Sequence, residues 1–427
     1  MNTNTQITTG MLIVAAAGGL ATAGSLELDR AYASDLRADA DTRSVLNESN
    51  LSNLDVSVGI RFNYAFNSRD GAALGDNDTT IGFGFTEAEV AIEGDVTENM
   101  HARISFDFGP NDADQTAGQG TAVLEDAFVD WVVNDSFSLR VGQFVPAYSA
   151  EASTSELKMM NAYRSATYEI LATPRWTQGV EARFGGDTWG LVVGFNDGPS
   201  TPSLAFNSGL EFDYSFNARI DFFGDSNKAR FEDQTSWRGS ENGWRVGAGF
   251  IYTAFGDTNP SSTDDSDTIW YTVDGAYEGD GWAVRASFYG ASRSFDTASG
   301  RDYDNYGFEI GASVFMSDQW EAFARWDMLL LDEDTTGAIQ VAAGGDDVQN
   351  FIALGANYYF VPESHAAKFT LEVGVALDET NDIIVSNSNT GSVGSGVGSF
   401  IGNSGFLKDT AGENGQLMIS GTLQWLF

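Results

Sequence analysis

Cysteine is absent from this chain of 427 residues, and lysine is scarce, at positions 158, 228, 368 and 408 only. Without cysteine there is no disulfide framework, no thiolate metal site and no cysteine nucleophile. Basic residues number 22 against 61 acidic ones, for a formal net charge of -39. Such a chain cannot present the basic surface that a phosphate backbone requires, so nucleic acid is excluded as a partner.

Long hydrophobic runs are also missing, which excludes helical membrane spans. The apolar run at residues 11–24 is shorter than the roughly 20 residues of a spanning helix and is typical of a secretory signal. We expect a signal peptide over residues 1–33, cleaved after Ala33 in preference to Ala23, although no Lys or Arg precedes the run. The alternative is a buried N-terminal helix. Residues 34–53 are charged and predict a periplasmic N-terminal segment ahead of a domain over 54–427.

A two-residue period dominates that domain. In residues 54–66 the alternate positions are apolar or aromatic, and the positions between them include Asp55, Arg61 and Asn63. Residues 211–222 show the same segregation, with Phe212, Phe216 and others opposite charged side chains. Both segments exceed ten residues, whereas a tilted strand needs about 9 to 11 residues to cross the apolar band of a membrane. The pattern predicts an all-β, transmembrane, antiparallel β-barrel.

The same template predicts sixteen strands, with long polar connections alternating with short turns, as in barrels that have short periplasmic turns and long outer loops. One connection breaks the rule: an 18-residue polar stretch, 224–241, stands where a short turn is expected. The chain ends in an amphipathic segment closed by an aromatic residue, Phe427. The predicted strands are 54–66, 79–94, 100–109, 123–134, 136–144, 177–184, 187–196, 209–223, 242–253, 268–278, 281–291, 302–315, 319–330, 348–360, 367–378 and 415–427.

Several segments resemble the phosphate-selective porin O and P family of outer-membrane channels. LRVGQFVPAYSAE at 139–151 is similar to that family's strand and turn, and is followed by Ser155, Arg164-Ser165 and Gln178-Gly179-Val180. GLVVGFNDG at 190–198, FIALGANYYFVPES at 351–364 and the closing LQWLF extend the resemblance. It implies a sixteen-stranded, commonly trimeric porin of the bacterial outer membrane that passes small hydrophilic solutes and ions. Selective family members use Lys and Arg ladders, so four lysines do not support phosphate selectivity here.

Alternation assigns more acids than arginines to the lumen wall, which predicts a cation-preferring pore. The alternative is that most of these charges pair across neighbouring strands and only keep the wall hydrated. The predicted pore-lining arginines are Arg61, Arg103, Arg140, Arg183, Arg219, Arg245, Arg285 and Arg325. The predicted acids are Asp55, Glu87, Glu89, Glu93, Asp107, Asp126, Asp130, Glu181, Glu211, Asp213, Asp221, Asp274, Glu309, Glu321, Asp327, Glu372 and Asp378.

The connection 145–176 follows the family-like turn, and we expect it to fold inward and narrow the channel. Its charges are mixed, so they could set up a field across the constriction; the alternative is an ordinary outer loop. The predicted constriction residues are Glu151, Glu156, Lys158, Arg164, Glu169 and Arg175.

Catalysis and metal binding find little support. The two histidines, His101 and His365, are both expected in or beside periplasmic turns, which does not favour a shared catalytic cleft. Acid clusters at 264–267, 332–334 and 346–347 fall in predicted outer loops and lack the twelve-residue calcium pattern, so they predict solvated loops. We therefore expect no catalytic residue, resident metal or cofactor.

The sequence favours an outer-membrane diffusion porin with an acidic lumen, surrounded by outer-membrane lipid and assembled as a homotrimer. An anion- or phosphate-selective porin is the first alternative. A barrel hydrolase is the second, and a plugged structural or adhesive barrel is the third.

Overall fold

The protein is a closed antiparallel β-barrel of sixteen strands, here in a computed structural model. The residues described are 54–69, 79–108, 122–171, 175–199, 201, 203, 212–256, 265–296, 302–332, 347–378, 380, 404–407 and 415–427. Sequence neighbours pair throughout, and β16 pairs with β1 to close the barrel. The predictions for residues 1–53 lie outside the described part of the chain.

The strands follow the predicted two-residue period closely. Their bounds are β1 (Leu54–Ser68), β2 (Thr79–Thr97), β3 (Met100–Asp107), β4 (Val123–Asn134), β5 (Phe137–Phe144), β6 (Thr177–Gly186), β7 (Trp189–Asn196), β8 (Tyr214–Phe223), β9 (Gly243–Phe255), β10 (Ser266–Gly279), β11 (Trp282–Phe295), β12 (Tyr303–Phe315), β13 (Trp320–Leu330), β14 (Val348–Tyr359), β15 (Ala367–Ala376) and β16 (Gln416–Leu426). Most ends differ from the predicted ones by one to four residues.

The outer surface of the barrel is apolar. In β12, Phe308, Ile310 and Val314 are exposed, while Glu309 and Ser313 on the opposite face are buried. Near the periplasmic strand ends the tryptophans of five strands are 39–44% exposed, as expected of an aromatic girdle at a membrane interface. They are Trp131, Trp189, Trp244, Trp320 and Trp425. Among the described residues no helix is long and apolar enough to span a membrane.

The core lies inside the barrel rather than between layers. Its largest cluster combines Tyr148, Tyr163 and Tyr168 from the chain between β5 and β6 with inward side chains of the wall, such as Tyr289 and Phe351. Because the apolar side chains of the wall face the lipid, the strands alone do not fill the interior of the barrel. Chain segments that connect the strands enter the barrel from its ends and occupy this space. Two such segments define the candidate site.

Candidate functional site

The first internal segment is residues 145–171, which we call the lumen segment. It contains two short helices, α1 (Ala150–Ser153) and α2 (Ala166–Leu171), and a 3-10 helix, Glu156–Lys158. Wall arginines from distant strands donate to its carbonyl oxygens: Arg219 to Tyr148 at 2.9 Å, Arg325 to Tyr163 at 2.9 Å, and Arg61 to Ala162. These three arginines lie on β8, β13 and β1, so the segment crosses the interior of the barrel.

Local hydrogen bonds shape the lumen segment. Ser149 caps α1 by accepting from the Ala152 N–H at 3.0 Å. Glu151 accepts from the backbone N–H and the hydroxyl of Ser165 at 2.6 and 2.7 Å, which ties the start of the segment to α2. Burial raises the pKa of Tyr168 above its ordinary value, so this phenol stays protonated beside the Arg164 guanidinium, 5.3 Å from its ring. The segment is therefore internally braced as well as bonded to the wall.

Glycine allows the closest approach between wall and lumen segment. At Gly249 on β9 an added Cβ would overlap the Tyr148 carbonyl oxygen, which is itself the acceptor for Arg219. We expect Gly249→Ala to push this carbonyl away and weaken the Arg219 bond, costing about 1–3 kcal/mol by overpacking. The thermal midpoint in detergent measures this. Gly82→Ala, where a Cβ meets no atom within 4 Å, is the matched control and should leave the midpoint nearly unchanged.

The second internal segment is residues 224–241, which we call the periplasmic insert. It joins β8 to β9 and contains a 3-10 helix, Lys228–Phe231. Trp237 of the insert is buried and packs 4.8 Å from Tyr359 and 5.4 Å from Phe315, ring centroid to ring centroid. The sequence singled out this stretch as an oversized turn but could not tell where it goes; it folds inward.

His365 fastens the far side of the insert. It lies in the turn between β14 and β15, 9% exposed, with its ring 5.3 Å from Trp237 and its Nε2 3.4 Å from the Asp233 carboxylate. Burial lowers the pKa of His365; Asp233 opposes this, and Lys368 and Lys158 add to it. The imidazole is therefore buried mainly in its neutral form.

Acidification should loosen this contact. The pKa of His365 is lower in the folded protein than its ordinary value of 6.5. Well above pH 6.5 the histidine is neutral in both the folded and the unfolded state, so it does not make stability depend on pH. As the pH falls through 6.5 and below, the unfolded state binds a proton more readily than the folded state, so the free energy of unfolding decreases. We expect the thermal midpoint to decrease from about pH 7 to pH 5, and His365→Gln to reduce that decrease. An unchanged pH profile in the variant would contradict the assignment.

Burial divides the eight predicted pore-lining arginines. Arg61, Arg219 and Arg325 are 2–5% exposed beneath the lumen segment. Arg245 and Arg285 donate to carbonyl oxygens of the insert, those of Phe231 at 3.4 Å and Gln234 at 2.6 Å. These five arginines therefore hold internal segments in place. The remaining three pair with carboxylates on the wall and stay partly exposed.

These three are Arg103, Arg140 and Arg183. Arg103 lies 2.9 Å from Glu89, 3.4 Å from Glu93 and 2.9 Å from Asp126. A bidentate pair links Arg140 to Asp130 at 2.7 and 2.8 Å, with the guanidinium 3.7 Å from the Phe128 ring centroid. Arg183 lies 2.6 Å from Glu181. The pairs of Arg103 and Arg140 join neighbouring strands, as in the alternative weighed from the sequence, whereas Arg183 and Glu181 both lie on β6.

Four of the other predicted acids accept hydrogen bonds from backbone N–H groups of the lumen segment, at 2.8–3.2 Å. The pairs are Glu181 with Ala147, Asp274 with Ala150, Asp327 with Ala166, and Glu372 with Ala162. Glu87 lies 3.8 Å from Arg61, and Asp107 accepts from the Ala88 N–H at 3.0 Å.

Two of the described acids lie beyond the strands assigned to them. Asp213 precedes β8, and Asp378 follows β15 and accepts from the Asn350 N–H at 2.6 Å, because both strands are shorter than predicted. Glu211 lies outside the described residues.

The six predicted constriction residues are brought together in or just after the lumen segment. Glu151, Lys158 and Glu169 are buried, whereas Glu156, Arg164 and Arg175 are partly exposed. Glu156 joins the segment to the wall by pairing with both Arg164, at 3.2 Å, and Arg61, at 2.9 Å. Glu169 lies 3.7 Å from Arg175. The part of the segment that remains accessible therefore carries charges of both signs.

The histidines do not form a shared site. His101 lies at the start of β3, 3.2 Å from Asp95 and 3.6 Å from Glu93, and His365 is bound to the insert. Within the described ranges no group of three or more His, Asp or Glu side chains is placed to hold a metal ion. The acid clusters of the outer loops fall partly outside those ranges.

Gln234 and Trp237 are the functional candidates that the sequence did not identify. The signal that pointed toward them was the length of the 224–241 connection. The contacts themselves depend on side chains from β11, β12 and β14, which no local pattern reports.

Comparison with known proteins agrees with this architecture. The family model of the phosphate-selective porins O and P matches residues 56–217, which confirms the resemblance carried by the segments at 139–151 and 190–198. The later segments that carried the resemblance lie outside this match. A search of curated proteins found no match.

Solved structures share the fold over most of their length. The anion-selective porin of Comamonas acidovorans is 12% identical, covers 88% of this chain and 99% of its own, and gives a TM-score of 0.57. OprB of Pseudomonas putida is 10% identical, covers 90% of this chain and 96% of its own, and gives a TM-score of 0.56. A trimer form of OmpT, an outer membrane protein of Vibrio cholerae, is 12% identical, covers 88% of this chain and 99% of its own, and gives a TM-score of 0.53. The closed barrel, its apolar outer face and the family match identify a protein of the bacterial outer membrane.

Proposed function

We propose that this protein is a passive diffusion channel of the outer membrane that prefers cations. The coarse function, a water-filled barrel for small hydrophilic solutes and ions, is supported by the family match and the porin fold. The preference for cations is carried by one observation: the balance of charge on the partly exposed wall. The channel needs no reacting group or cofactor.

That balance is acidic. The partly exposed inward side chains of β2 to β6 include six carboxylates, and only three guanidinium groups accompany them. An excess of negative charge in a narrow aqueous passage raises the local concentration of cations, and this effect weakens with salt. The carboxylates are Glu87, Glu89, Glu93, Asp107, Asp126 and Asp130, and the guanidinium groups are those of Arg103, Arg140 and Arg183.

Phosphate or anion selectivity is the competing function. It is favoured by the description of the matching family and by the anion-selective porin among the similar structures. The lysines of this chain do not support it: Lys158 and Lys368 are buried, and Lys228 donates to the Trp189 carbonyl near the periplasmic turns. Lys408 lies outside the described residues.

A planar bilayer separates the two functions. The purified protein is inserted between KCl solutions of unequal concentration, and the zero-current potential is recorded. A potential displaced toward the K⁺ equilibrium value supports the proposal. Displacement toward the Cl⁻ value, or strong block by millimolar inorganic phosphate, would replace it with the anion-selective function.

We also propose a homotrimer, because a trimer form occurs among the similar barrels. Native mass spectrometry in detergent tests this directly. A mass of three chains supports the proposal, and a monomer that persists across mild detergents would overturn it.

A further inference from the structure

The lumen segment and the periplasmic insert are joined at one residue. The Gln234 backbone N–H donates to the Lys158 carbonyl at 3.1 Å, and its side-chain Oε1 accepts from the Met160 N–H at 3.1 Å. Its own carbonyl accepts from Arg285 of β11 at 2.6 Å. One side chain and its backbone thus tie two internal segments to each other and to the wall.

The insert also reaches the wall on the far side. Arg230 lies 3.4 Å from Glu278 of β10, and the Ser236 hydroxyl donates to the Gly279 carbonyl at 2.7 Å. Trp237 continues the contact to β12 and β14 through Phe315 and Tyr359. The insert therefore extends from β8 and β9 across the periplasmic mouth to β14.

The exposure of the wall follows this arrangement. Many inward polar side chains from β10 to β16 are buried, among them Glu278 at 1%, Ser313 at 6% and Glu372 at 0%, while Arg285 and Ser287 of β11 are partly exposed. Inward charged side chains of β2 to β6 are more open: Arg103 is 24% exposed and Arg183 is 30% exposed. The accessible residues Ser153 and Ser155 of the lumen segment add hydroxyl groups to the interior surface.

We propose that the insert and the lumen segment form one partition, which closes the β8 to β16 side and confines permeating ions to the wall of β2 to β7. This inference rests on the proposed channel function and adds the route and a specificity site: hydrated cations pass the acidic groups around Arg103. Gln234 is the positioning residue of the partition, since it joins its two parts.

Cysteine scanning tests the route, because the chain contains no cysteine and an introduced thiol is the only one. Ser138 on β5 shares the inward face of Arg140 and is partly exposed; Ser313 on β12 shares the inward face of Glu309 and is buried. Both lie near the periplasmic strand ends. A cationic methanethiosulfonate reagent should label Ser138→Cys and lower the K⁺ current, and should leave Ser313→Cys unlabelled with its current unchanged.

Removing the partition should reverse this difference. Replacing residues 226–240 with a short Gly-Ser turn should make Ser313→Cys reactive and raise conductance on the order of twofold, as expected when more of a sixteen-stranded lumen fills with water. Gln234→Ala gives a milder test should the shortened chain not fold, with faster labelling of Ser313→Cys as the expected result. Circular dichroism verifies the barrel in each variant.

The outcomes are separable. Equal labelling of the two cysteines in the intact protein, with equal loss of current, would overturn the partition. So would a folded shortened variant whose conductance and labelling match the parent. A parent protein that carries no current at all would contradict the channel function instead.

Discussion

Neutralising the acids around Arg103 is expected to abolish or invert the ion preference. In the triple variant E89Q/E93Q/D126N, the guanidinium loses the three carboxylates that lie 2.9–3.4 Å from it. Of the six carboxylates named above, three then remain beside the three guanidinium groups, so the excess of negative charge in this set is removed. We expect the zero-current potential in a KCl gradient to move to zero or to the Cl⁻ side.

Salt dependence and a matched variant make this result specific. The Debye length is about 10 Å at 0.1 M salt and about 3 Å at 1 M, so the change should be large in dilute KCl and small in concentrated KCl. D135N/D187N/D318N removes the same number of charges from exposed periplasmic turns and should keep the parent potential. If both triple variants shift the potential equally, general surface charge and not the Arg103 group determines the preference.

Replacing Arg325 should release the lumen segment. This buried arginine lies 3.2 Å from Asp327 and donates to the carbonyl oxygens of Tyr163 and Arg164, both at 2.9 Å. Arg325→Met leaves Asp327 as a buried unpaired charge and removes both bonds to the segment, at an expected cost of about 3–5 kcal/mol. The thermal midpoint in detergent should fall steeply.

Two further measurements distinguish release of the segment from general instability. In the parent protein Lys158 is buried and Arg164 is only partly exposed, so trypsin should not cut after them. In Arg325→Met the released segment should be cut after both residues at temperatures well below the unfolding temperature of the variant. Arg238→Met removes a pair whose side chains are 51% and 75% exposed, 3.5 Å from Asp318, and should change the midpoint little. A destabilised Arg325→Met that resists trypsin would assign the arginine to the wall alone.

The alternation of side chains explains how much of the barrel could be read in advance. Each strand faces lipid on one side and the polar interior on the other, so apolar and polar residues alternate along its sequence. This alternation marks each strand in the sequence, and the number and order of the strands follow from it. The structure differs from the predicted strands at the strand ends and at shifts of the pairing register, such as those between Arg61 and Phe62 and between Ile104 and Phe106. A β-bulge depends on the pairing of two strands and leaves no mark in a single one.

Depth in the lumen could not be read from the same pattern. Alternation assigns Arg219 and Arg140 equally to the interior, yet the first is buried against the Tyr148 carbonyl and the second remains partly exposed. What separates them is the course of the chain segments between the strands. The 18-residue insert illustrates this limit. Its length predicted that this connection differs from the short turns, but the inward course of its backbone depends on contacts of Gln234 and Trp237 with residues more than seventy positions away.

Closure of the barrel by its first and last strands has a consequence for biogenesis. The N–H and carbonyl of Val58 exchange hydrogen bonds with the backbone of Phe427, and Gln424 of β16 donates to the Leu157 carbonyl of the lumen segment at 2.6 Å. These pairings join the first strand of the barrel to the last one, so the interior cannot reach its final arrangement until β16 has been synthesised. Contacts so distant in sequence form slowly, and the nascent chain must be kept from aggregating until β1 and β16 meet.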